Sequence, residues 1–232
     1  MQPAVDVRDV WYRYGKGELA KPVLQGIDLA IAPGEIVLMT GPSGSGKTTL
    51  LTLIGALRAV QDGSVSVLGT DLAGATEADR VTLRRRIGFI FQLHNLLEFL
   101  TARQNVAMAL ELDPALAEPE RLRRADAALA SVGLAGFEDR YPANLSGGQR
   151  QRVAIARALV HDPGLILADE PTAALDSKTG GEAVRLLRRL AKEQGRTILL
   201  VTHDPRILDI ADRIVAMEDG RIVEPTLARA AE

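Results

Sequence analysis

The strongest chemical signal in the sequence is a run of nine residues that combines glycines, hydroxyl side chains and one lysine. In order, they are Gly41, Pro42, Ser43, Gly44, Ser45, Gly46, Lys47, Thr48 and Thr49. An apolar, strand-like run at 35–40 precedes them, and a helical pattern of leucines follows. Strand, glycine-rich turn and helix is the context in which the spacing G-x-x-x-x-G-K-[ST] binds phosphate. An ordinary glycine–serine turn is the alternative, and both flanks argue against it.

Each residue type in this run has a physical reason to contact a phosphate chain. Glycines let successive backbone N–H groups turn inward, and the N-terminus of the following helix adds partial positive charge. Lys47 would reach the β- and γ-phosphates of a nucleotide, and the Thr48 hydroxyl would ligate Mg²⁺. The run therefore predicts a nucleotide phosphate site.

Two adjacent carboxylates, Asp169 and Glu170, follow the apolar run 165–168. Asp169 fits the Mg²⁺-associated acid at the end of a Walker B strand. Glu170 fits a base that polarises the attacking water. Two neighbouring negative charges are unfavourable without a cation, which the metal would supply. Asp-Glu pairs after strands are common, so this interpretation depends on the phosphate run upstream.

Polar side chains also end two further predicted strands. Gln92 follows the apolar run 87–91, and His203 follows the run 197–202. Because ligands of open α/β sheets bind outside the carboxyl ends of parallel strands, both side chains are expected to face the ligand crevice. Gln92 would coordinate Mg²⁺ or the attacking water, and His203 would hydrogen-bond the γ-phosphate or that water. A lone histidine is more often structural, so that alternative stays open for His203.

A second predicted helix start also has the composition of an anion site. A long helical pattern opens with Ser146, Gly147, Gly148 and Gln149. Serine is a good N-cap, and two glycines leave the first N–H groups of the helix unobstructed. The residues alone leave two possibilities: the fold brings this helix start to the phosphate run, or it completes the site of another copy.

Two aromatic residues near the N-terminus leave a similar choice. Trp11 and Tyr14 are among only eight aromatic residues in the chain. Any aromatic face is able to stack on a nucleotide base, and plain core packing explains such residues equally well.

An α/β fold must position these candidates. The apolar runs 87–91, 165–168 and 197–202 alternate with helical patterns, which predicts a mostly parallel sheet with helices on both faces. Strand patterns at 5–14 and 23–31, separated by turn residues, add an antiparallel β part at the N-terminus. The predicted fold class is therefore α/β, with an antiparallel β subdomain beside the parallel core.

The domain organisation follows from a change in the secondary-structure pattern after Gln92. Residues 93–145 are mainly helical and interrupt the strand pattern, which predicts a helical lobe inserted into the core. We expect one domain over 1–232, in which 1–92 and 146–232 form the α/β core. Apolar residues at the start of the lobe would form a docking surface or pack its own core; they are Leu96, Leu97, Phe99 and Leu100.

The composition excludes several classes of protein. Hydrophobic residues make up 47% and charged residues 25%, which is ordinary for a globular chain. The net charge of −2 gives no general attraction to nucleic acid, and the absence of cysteine excludes disulfides and thiolate metal sites. No apolar run approaches about eighteen residues, and the N-terminus is unlike a signal peptide. We expect a soluble protein of a reducing cytosol, whose membrane role would come through a partner.

Taken in order, the segments resemble the motif set of the ABC-transporter ATPases. Residues 41–49 resemble Walker A, Gln92 the Q-loop, 145–149 the signature, 165–170 Walker B, Asp176 (in Ala174-Leu175-Asp176) the D-loop, and His203 the switch histidine. The resemblance implies a P-loop NTPase core with a RecA-like sheet, and ATP and Mg²⁺ as cofactors. It also implies a head-to-tail dimer, with each ATP between Walker A of one chain and Ser146–Gln149 of the other. Tyr14 then resembles the aromatic that stacks on adenine, and matches better than Trp11.

Within that family, the chain looks like the branch that powers macrolide exporters and lipoprotein release. The segments 91–97 and 99–106 are most similar to the DevA-type ATPase of heterocyst glycolipid exporters. The resemblance implies integral membrane permease subunits as partners, with a periplasmic adaptor, and a location at the cytoplasmic face of the inner membrane. Arg157, in an Ala-Arg-Ala stretch, is expected to be structural.

Two rival functions belong to other classes. One is a soluble ABC ATPase that acts on nucleic acid or ribosomes; such proteins usually carry two cassettes or long coiled-coil insertions, and this chain has neither, nor a basic surplus. The other is a nucleotide-sensing module without hydrolysis, which the intact pair Asp169 and Glu170 argues against.

Overall fold

The structure is a computed structural model that describes residues 2–15, 17–91, 94–111, 113, 115–173, 175, 177–202 and 204–226. The strands are β1 (Val5–Tyr14), β2 (Lys21–Ile31), β3 (Ile36–Thr40), β4 (Asp62–Val67), β5 (Thr70–Asp71), β6 (Ile87–Ile90), β7 (Leu165–Asp169), β8 (Thr197–Val201), β9 (Arg213–Glu218) and β10 (Arg221–Thr226). The α-helices are α1 (Lys47–Ile54), α2 (Glu77–Arg84), α3 (Ala102–Ala107), α4 (Glu118–Ser131), α5 (Gly147–Leu159), α6 (Ser177–Gln194) and α7 (Pro205–Leu208).

The larger sheet has six strands in the order β10-β9-β3-β8-β7-β6. Strands β9, β3, β8, β7 and β6 run parallel to one another, and β10 pairs antiparallel with β9. Strands β3, β7 and β8 are buried along almost their whole length, which explains their continuous apolar sequences. The predicted mostly parallel sheet is confirmed. The carboxyl ends of β3, β7 and β8 meet at one edge, where polar side chains follow β3 and β7.

The smaller sheet is antiparallel and has four strands in the order β2-β1-β4-β5. Strands β1 and β2 pair as predicted, with Val5 opposite Ile31. Strand β4 pairs with the other edge of β1, so that Val5 also lies opposite Val67. The chain therefore returns to the antiparallel sheet after α1. The sequence pattern does not indicate this pairing, because it is non-local.

The larger sheet separates two apolar cores. Val37 and Met39 of β3 point into a core that is shared with α1 and the smaller sheet. Ile36 and Leu38, on the opposite face of the same strand, point into a core built with α5, α6 and the helices of the lobe. Strand β3 is therefore packed on both faces. Because residues 41–49 follow it directly, the start of that run is held in place by both cores.

Helices α3 and α4 lie in the segment predicted to be mainly helical. Asn105 of α3 is fully buried, and its amide accepts a hydrogen bond from Leu97 N at 2.8 Å and donates to Leu100 O at 3.0 Å. Leu96 packs against the core, whereas Phe99 is 73% exposed. The apolar start of this segment therefore serves partly as core and partly as surface. Over the part of the chain described, no helix combines the length and apolar character needed to cross a bilayer.

Candidate functional site

The phosphate loop, residues 41–49, joins β3 to α1 and requires glycine at two positions. Gly41 has φ of 135°, and a Cβ atom there would lie 2.0 Å from Met217 O. Gly46 has φ of 101°, and a Cβ atom there would lie 2.9 Å from Val23 O. Gly46 is also the N-cap of α1, and no side chain caps that helix. The first N–H groups of α1 are therefore available to an anion.

We expect Gly41→Ala to destabilise the fold by about 2 kcal/mol more than Gly44→Ala, because it adds overpacking to backbone strain. Both glycines have positive φ, 135° and 83°. A Cβ atom at Gly44 meets nothing within 4 Å, whereas at Gly41 it collides with the Met217 carbonyl. Urea unfolding of the two variants measures the difference. Equal free energies of unfolding would contradict this description of the loop.

Lys47 occupies the centre of the phosphate loop. Its side chain is buried, and its Nζ donates to Gly41 O at 2.6 Å, Pro42 O at 2.7 Å and Ser45 Oγ at 3.3 Å. Burial lowers the pKa of the ammonium group, and the charges of Glu170 and Asp169 oppose that shift. A cation whose hydrogen bonds go to neutral oxygens is suited to exchange them for phosphate oxygens, which carry charge.

Thr48 and Asp169, the two predicted metal ligands among the described residues, are in direct contact. Thr48 Oγ1 donates to Asp169 Oδ2 at 3.0 Å, although the residues are 121 positions apart. Hydroxyl and carboxylate oxygens suit Mg²⁺, which is commonly held by one or two protein oxygens together with phosphates and water. The described residues contain no cluster of three or more histidine, cysteine or acidic side chains for a metal. The donor set therefore fits Mg²⁺ bound together with a phosphate chain.

Glu170 follows β7 in a left-handed backbone conformation, with φ of 49°. Its N–H donates to Val201 O of β8 at 2.7 Å, which fixes the turn at the end of the strand. Glu170 lines a cavity of about 680 Å³ together with Asp169, Tyr14, Val23 and most of the phosphate loop. We call this space the phosphate-loop cavity. It unites the predicted base Glu170, the predicted metal ligands Thr48 and Asp169, and Lys47.

Tyr14 lies at the end of β1 on the rim of this cavity. Its side chain is 41% exposed, and its hydroxyl lies 3.3 Å from Thr49 Oγ1. Trp11, the other aromatic candidate, donates its indole N–H to Asp9 Oδ1 at 2.7 Å and does not line the cavity. The position of Tyr14 makes it the better candidate for contact with a base.

The start of α5 carries the second predicted anion site. Ser146 is its N-cap, with Ser146 Oγ accepting from Gln149 N at 3.2 Å and Gln149 Oε1 accepting from Ser146 N at 2.8 Å. None of the residues 146–149 lines the phosphate-loop cavity. Within one chain, the two predicted phosphate sites therefore do not form a common site.

Three predicted site residues, Gln92, Asp176 and His203, lie outside the described residues. The segment just after Gln92 is nevertheless tied to α5 by Arg157. Its guanidinium donates to Asn95 O and His94 O, each at 2.6 Å, and both of those residues have positive φ. Sequence reasoning expected Arg157 to be structural but gave no sign that it holds this loop, because the contact spans 62 residues.

Beside this loop lies an apolar groove of about 370 Å³, which we call the aromatic groove. Its floor includes Phe89 and Phe91, whose rings are stacked with centroids 5.7 Å apart. Met108 and Ala109 also line it, as do four basic residues, Arg84, Arg85, Arg157 and His161. Burial lowers the pKa of His161, so this side chain adds little charge near neutral pH. The sequence offered a docking surface at 96–100 as one of two alternatives, and it did not identify these residues.

Comparison with known proteins identifies the family. The family model described as ABC transporter matches residues 24–173. The macrolide export ATP-binding/permease protein MacB of Marinobacter nauticus is 46% identical over 226 residues, which cover 97% of this chain and 35% of that protein. The chain thus spans about a third of the length of the MacB relatives that it matches.

Two further relatives match over nearly their whole length. The lipoprotein-releasing system ATP-binding protein LolD of Anaeromyxobacter dehalogenans is 46% identical over 222 residues, which cover 95% of this chain and 93% of that protein. The dimeric, post-hydrolysis structure of the ATP-binding cassette MJ0796 with ADP and Pi has a TM-score of 0.90 at 40% identity, covering 98% of this chain and 100% of that one. Family match, relatives and fold agree, and the chain belongs to the ABC transporter family as one of its ATP-binding cassettes.

Proposed function

We propose that the chain binds and hydrolyses ATP as a subunit of a membrane export or mechanotransmission complex. The observation that carries this proposal is the phosphate-loop cavity. It joins Lys47, the contact between Thr48 and Asp169, and Glu170 in one space. A triphosphate donor, a metal and a base for water are the components that phosphoryl transfer to water requires.

The chemistry follows from the positions of these side chains. Lys47 binds the β- and γ-phosphates, while Thr48 and Asp169 would hold Mg²⁺, whose charge would neutralise that of the phosphate oxygens. Glu170 accepts a proton from water as the water oxygen attacks the γ-phosphorus. The bond between the γ-phosphorus and the β–γ bridging oxygen breaks. ADP and inorganic phosphate leave. We assign Gln92 to the metal or the attacking water and His203 to the γ-phosphate or that water, as predicted from sequence.

A second copy of the chain would complete each site. The start of α5 lies outside the phosphate-loop cavity, yet Ser146 and the two glycines that follow it have the composition of an anion site at a helix N-terminus. We assign residues 146–149 and Asp176 to the nucleotide bound by the partner copy, in a head-to-tail dimer. The similar cassette MJ0796 has been solved as a dimer with ADP and Pi, which supports this arrangement.

The aromatic groove is our candidate contact with integral membrane permease subunits. It is apolar and open, and Arg157 ties the loop beside it to α5, whose first residues are assigned to the partner's nucleotide. A movement at the groove would therefore reach the nucleotide through one rigid helix. Since MacB is an ATP-binding/permease protein and LolD belongs to a lipoprotein-releasing system, we propose an exporter complex at the cytoplasmic face of the inner membrane. A periplasmic adaptor and the finer DevA-type resemblance stay predictions.

We expect Ala109→Arg to abolish capture of permease subunits by the tagged Glu170→Gln chain from native membranes in the presence of ATP. Residue 109 lines the aromatic groove and is half-buried, so a charged, bulky side chain there obstructs an apolar partner. The readout is the set of chains recovered, identified by mass spectrometry.

Ala127→Arg provides the matched control, because Ala127 is exposed on α4 and does not line the groove. It should capture the same membrane partners as the parent chain. Recovery of soluble or nucleic-acid partners alone by the parent chain would sink the exporter proposal. Equal permease capture by Ala109→Arg would instead place the contact elsewhere.

A further inference from the structure

We infer that Arg58 is a positioning residue for the nucleotide base, because it holds the Tyr14 ring in the orientation that receives adenine. This inference rests on the proposed function, which assigns base stacking to Tyr14. Arg58 lies just beyond α1 and outside every motif that the sequence analysis used. Its contacts, rather than its type or spacing, point to the role.

The guanidinium of Arg58 lies against two tyrosine rings. Its Cζ atom is 5.0 Å from the centroid of Tyr14 and 6.0 Å from that of Tyr12. Both distances are within the range of cation–π attraction. Arg58 Nη1 also donates to the Tyr12 hydroxyl at 3.4 Å, and the two rings meet edge to face with centroids 5.4 Å apart. Tyr12 is buried, so it anchors this cluster to the core.

The same cluster is connected to the phosphate loop. Arg58 Nε donates to Thr52 Oγ1 at 3.1 Å, and Thr52 Oγ1 donates to Thr49 O at 2.9 Å. Thr49 Oγ1 lies 3.3 Å from the Tyr14 hydroxyl, which closes a ring of contacts through α1. The orientation of the Tyr14 ring is thereby set relative to the helix that carries Lys47.

The arrangement leaves one ring face for the base. Tyr14 lines the phosphate-loop cavity, whereas Arg58, 5.0 Å from the centroid of its ring, does not. We therefore assign the guanidinium to the ring face turned away from the cavity. Tyr14 is 41% exposed, and without Arg58 its ring would have more rotational freedom to lose on binding. A cation on the far face also draws electron density from the ring, which reduces repulsion between the ring and the π-face of a base.

The test is a titration of the full-length Glu170→Gln chain with ATP and with inorganic tripolyphosphate, with and without Arg58→Met. We expect Arg58→Met to weaken ATP binding about two- to five-fold, the fold-change that corresponds to an exposed cation–π contact. Tripolyphosphate has no base, so its affinity should not change. Arg58→Lys keeps the cation without the planar fork and should recover part of the ATP affinity.

Arg13→Met is the matched control for loss of a positive charge. Arg13 precedes Tyr14, its side chain is 55% exposed, and its ion pair with Asp62 is 3.6 Å long, so its removal should leave ATP affinity unchanged. In a Tyr14→Leu background, Arg58→Met should have no further effect on ATP binding, because the platform on which it acts is absent.

Several results would overturn the inference. One is an unchanged ATP affinity in Arg58→Met. Another is a loss of tripolyphosphate affinity as large as the loss of ATP affinity. A third is that Arg58→Met lowers ATP affinity in the Tyr14→Leu background as much as it does in the parent. Should Arg58→Met fail to fold, Arg58→Lys provides an independent test. An ATP affinity equal to the parent's, together with a lower free energy of unfolding, would then assign Arg58 to the fold alone. If the parent chain itself did not bind ATP, the proposed function would be wrong. If the parent chain bound ATP and only the Arg58 variants behaved otherwise than expected, the inference about Arg58 alone would be wrong.

Discussion

Glu170→Gln is expected to lower the rate of ATP hydrolysis by about 10²–10⁴-fold, the usual contribution of a general base, while ATP still binds. Glutamine has nearly the same shape as glutamate but accepts no proton, so it would not activate an attacking water. The phosphate loop and the contact between Thr48 and Asp169 remain intact. We therefore expect ATP to accumulate on the variant and to trap the closed dimer. Steady-state phosphate release and size-exclusion chromatography with ATP measure the two effects.

Glu193→Gln is the matched control, because Glu193 is exposed on α6 and does not line the phosphate-loop cavity. It makes the same chemical change and should leave turnover and oligomeric state as they are. Normal hydrolysis by Glu170→Gln would show that the role assigned to Glu170 is wrong. A dimer that forms equally well without ATP would contradict the assignment of residues 146–149 to a shared nucleotide.

Lys47→Ala is expected to weaken ATP binding by about 10–150-fold, which corresponds to the loss of a hydrogen bond between charged groups. In the structure the ammonium group is held by loop oxygens, at 2.6 Å from Gly41 O and 2.7 Å from Pro42 O. With alanine, no cation offsets the negative charge of the phosphates or the partial negative charge of these carbonyl oxygens. Calorimetric titration with ATP measures the affinity, and the loss should be as large for inorganic tripolyphosphate, since Lys47 contacts the phosphates.

Lys192→Ala removes an equal charge at an exposed ion pair with Asp212 and serves as the control for net charge. Such surface pairs contribute little to stability, so this variant should fold and bind ATP normally. Unchanged ATP affinity in Lys47→Ala would contradict the assignment of residues 41–49 to the phosphates. An affinity lost for ATP but retained for tripolyphosphate would place Lys47 near the base instead.

The parts of the site that could be predicted from sequence are those encoded by neighbouring residues. The phosphate loop is one continuous run, and Asp169 and Glu170 directly follow the strand that presents them. The parallel sheet was predictable because β3, β7 and β8 are buried on both faces and therefore apolar throughout. In each case the chemistry and its supporting element share one short stretch of chain.

The parts that could not be predicted depend on contacts between distant segments. The pairing of β4 with β1 reaches back across the phosphate loop. Arg157 holds a loop 62 residues away, and Arg58 reaches a ring on β1, 46 residues before it. Arginine is common on surfaces, so neither its type nor its spacing distinguishes these two positions. Such roles become visible only when the fold brings the segments together.

The backbone at Glu170 has a consequence for how this protein can change over generations. A residue other than glycine in the left-handed region costs about 1 kcal/mol or more, and Glu170 has φ of 49°. The chain thus retains a carboxylate where its own backbone would favour glycine. Under the proposed role of Glu170 as the base, selection for heat resistance alone would move this position toward glycine and lower turnover, whereas selection for turnover would preserve a locally less stable bend. Stability and the rate of ATP hydrolysis therefore place opposite demands on this residue.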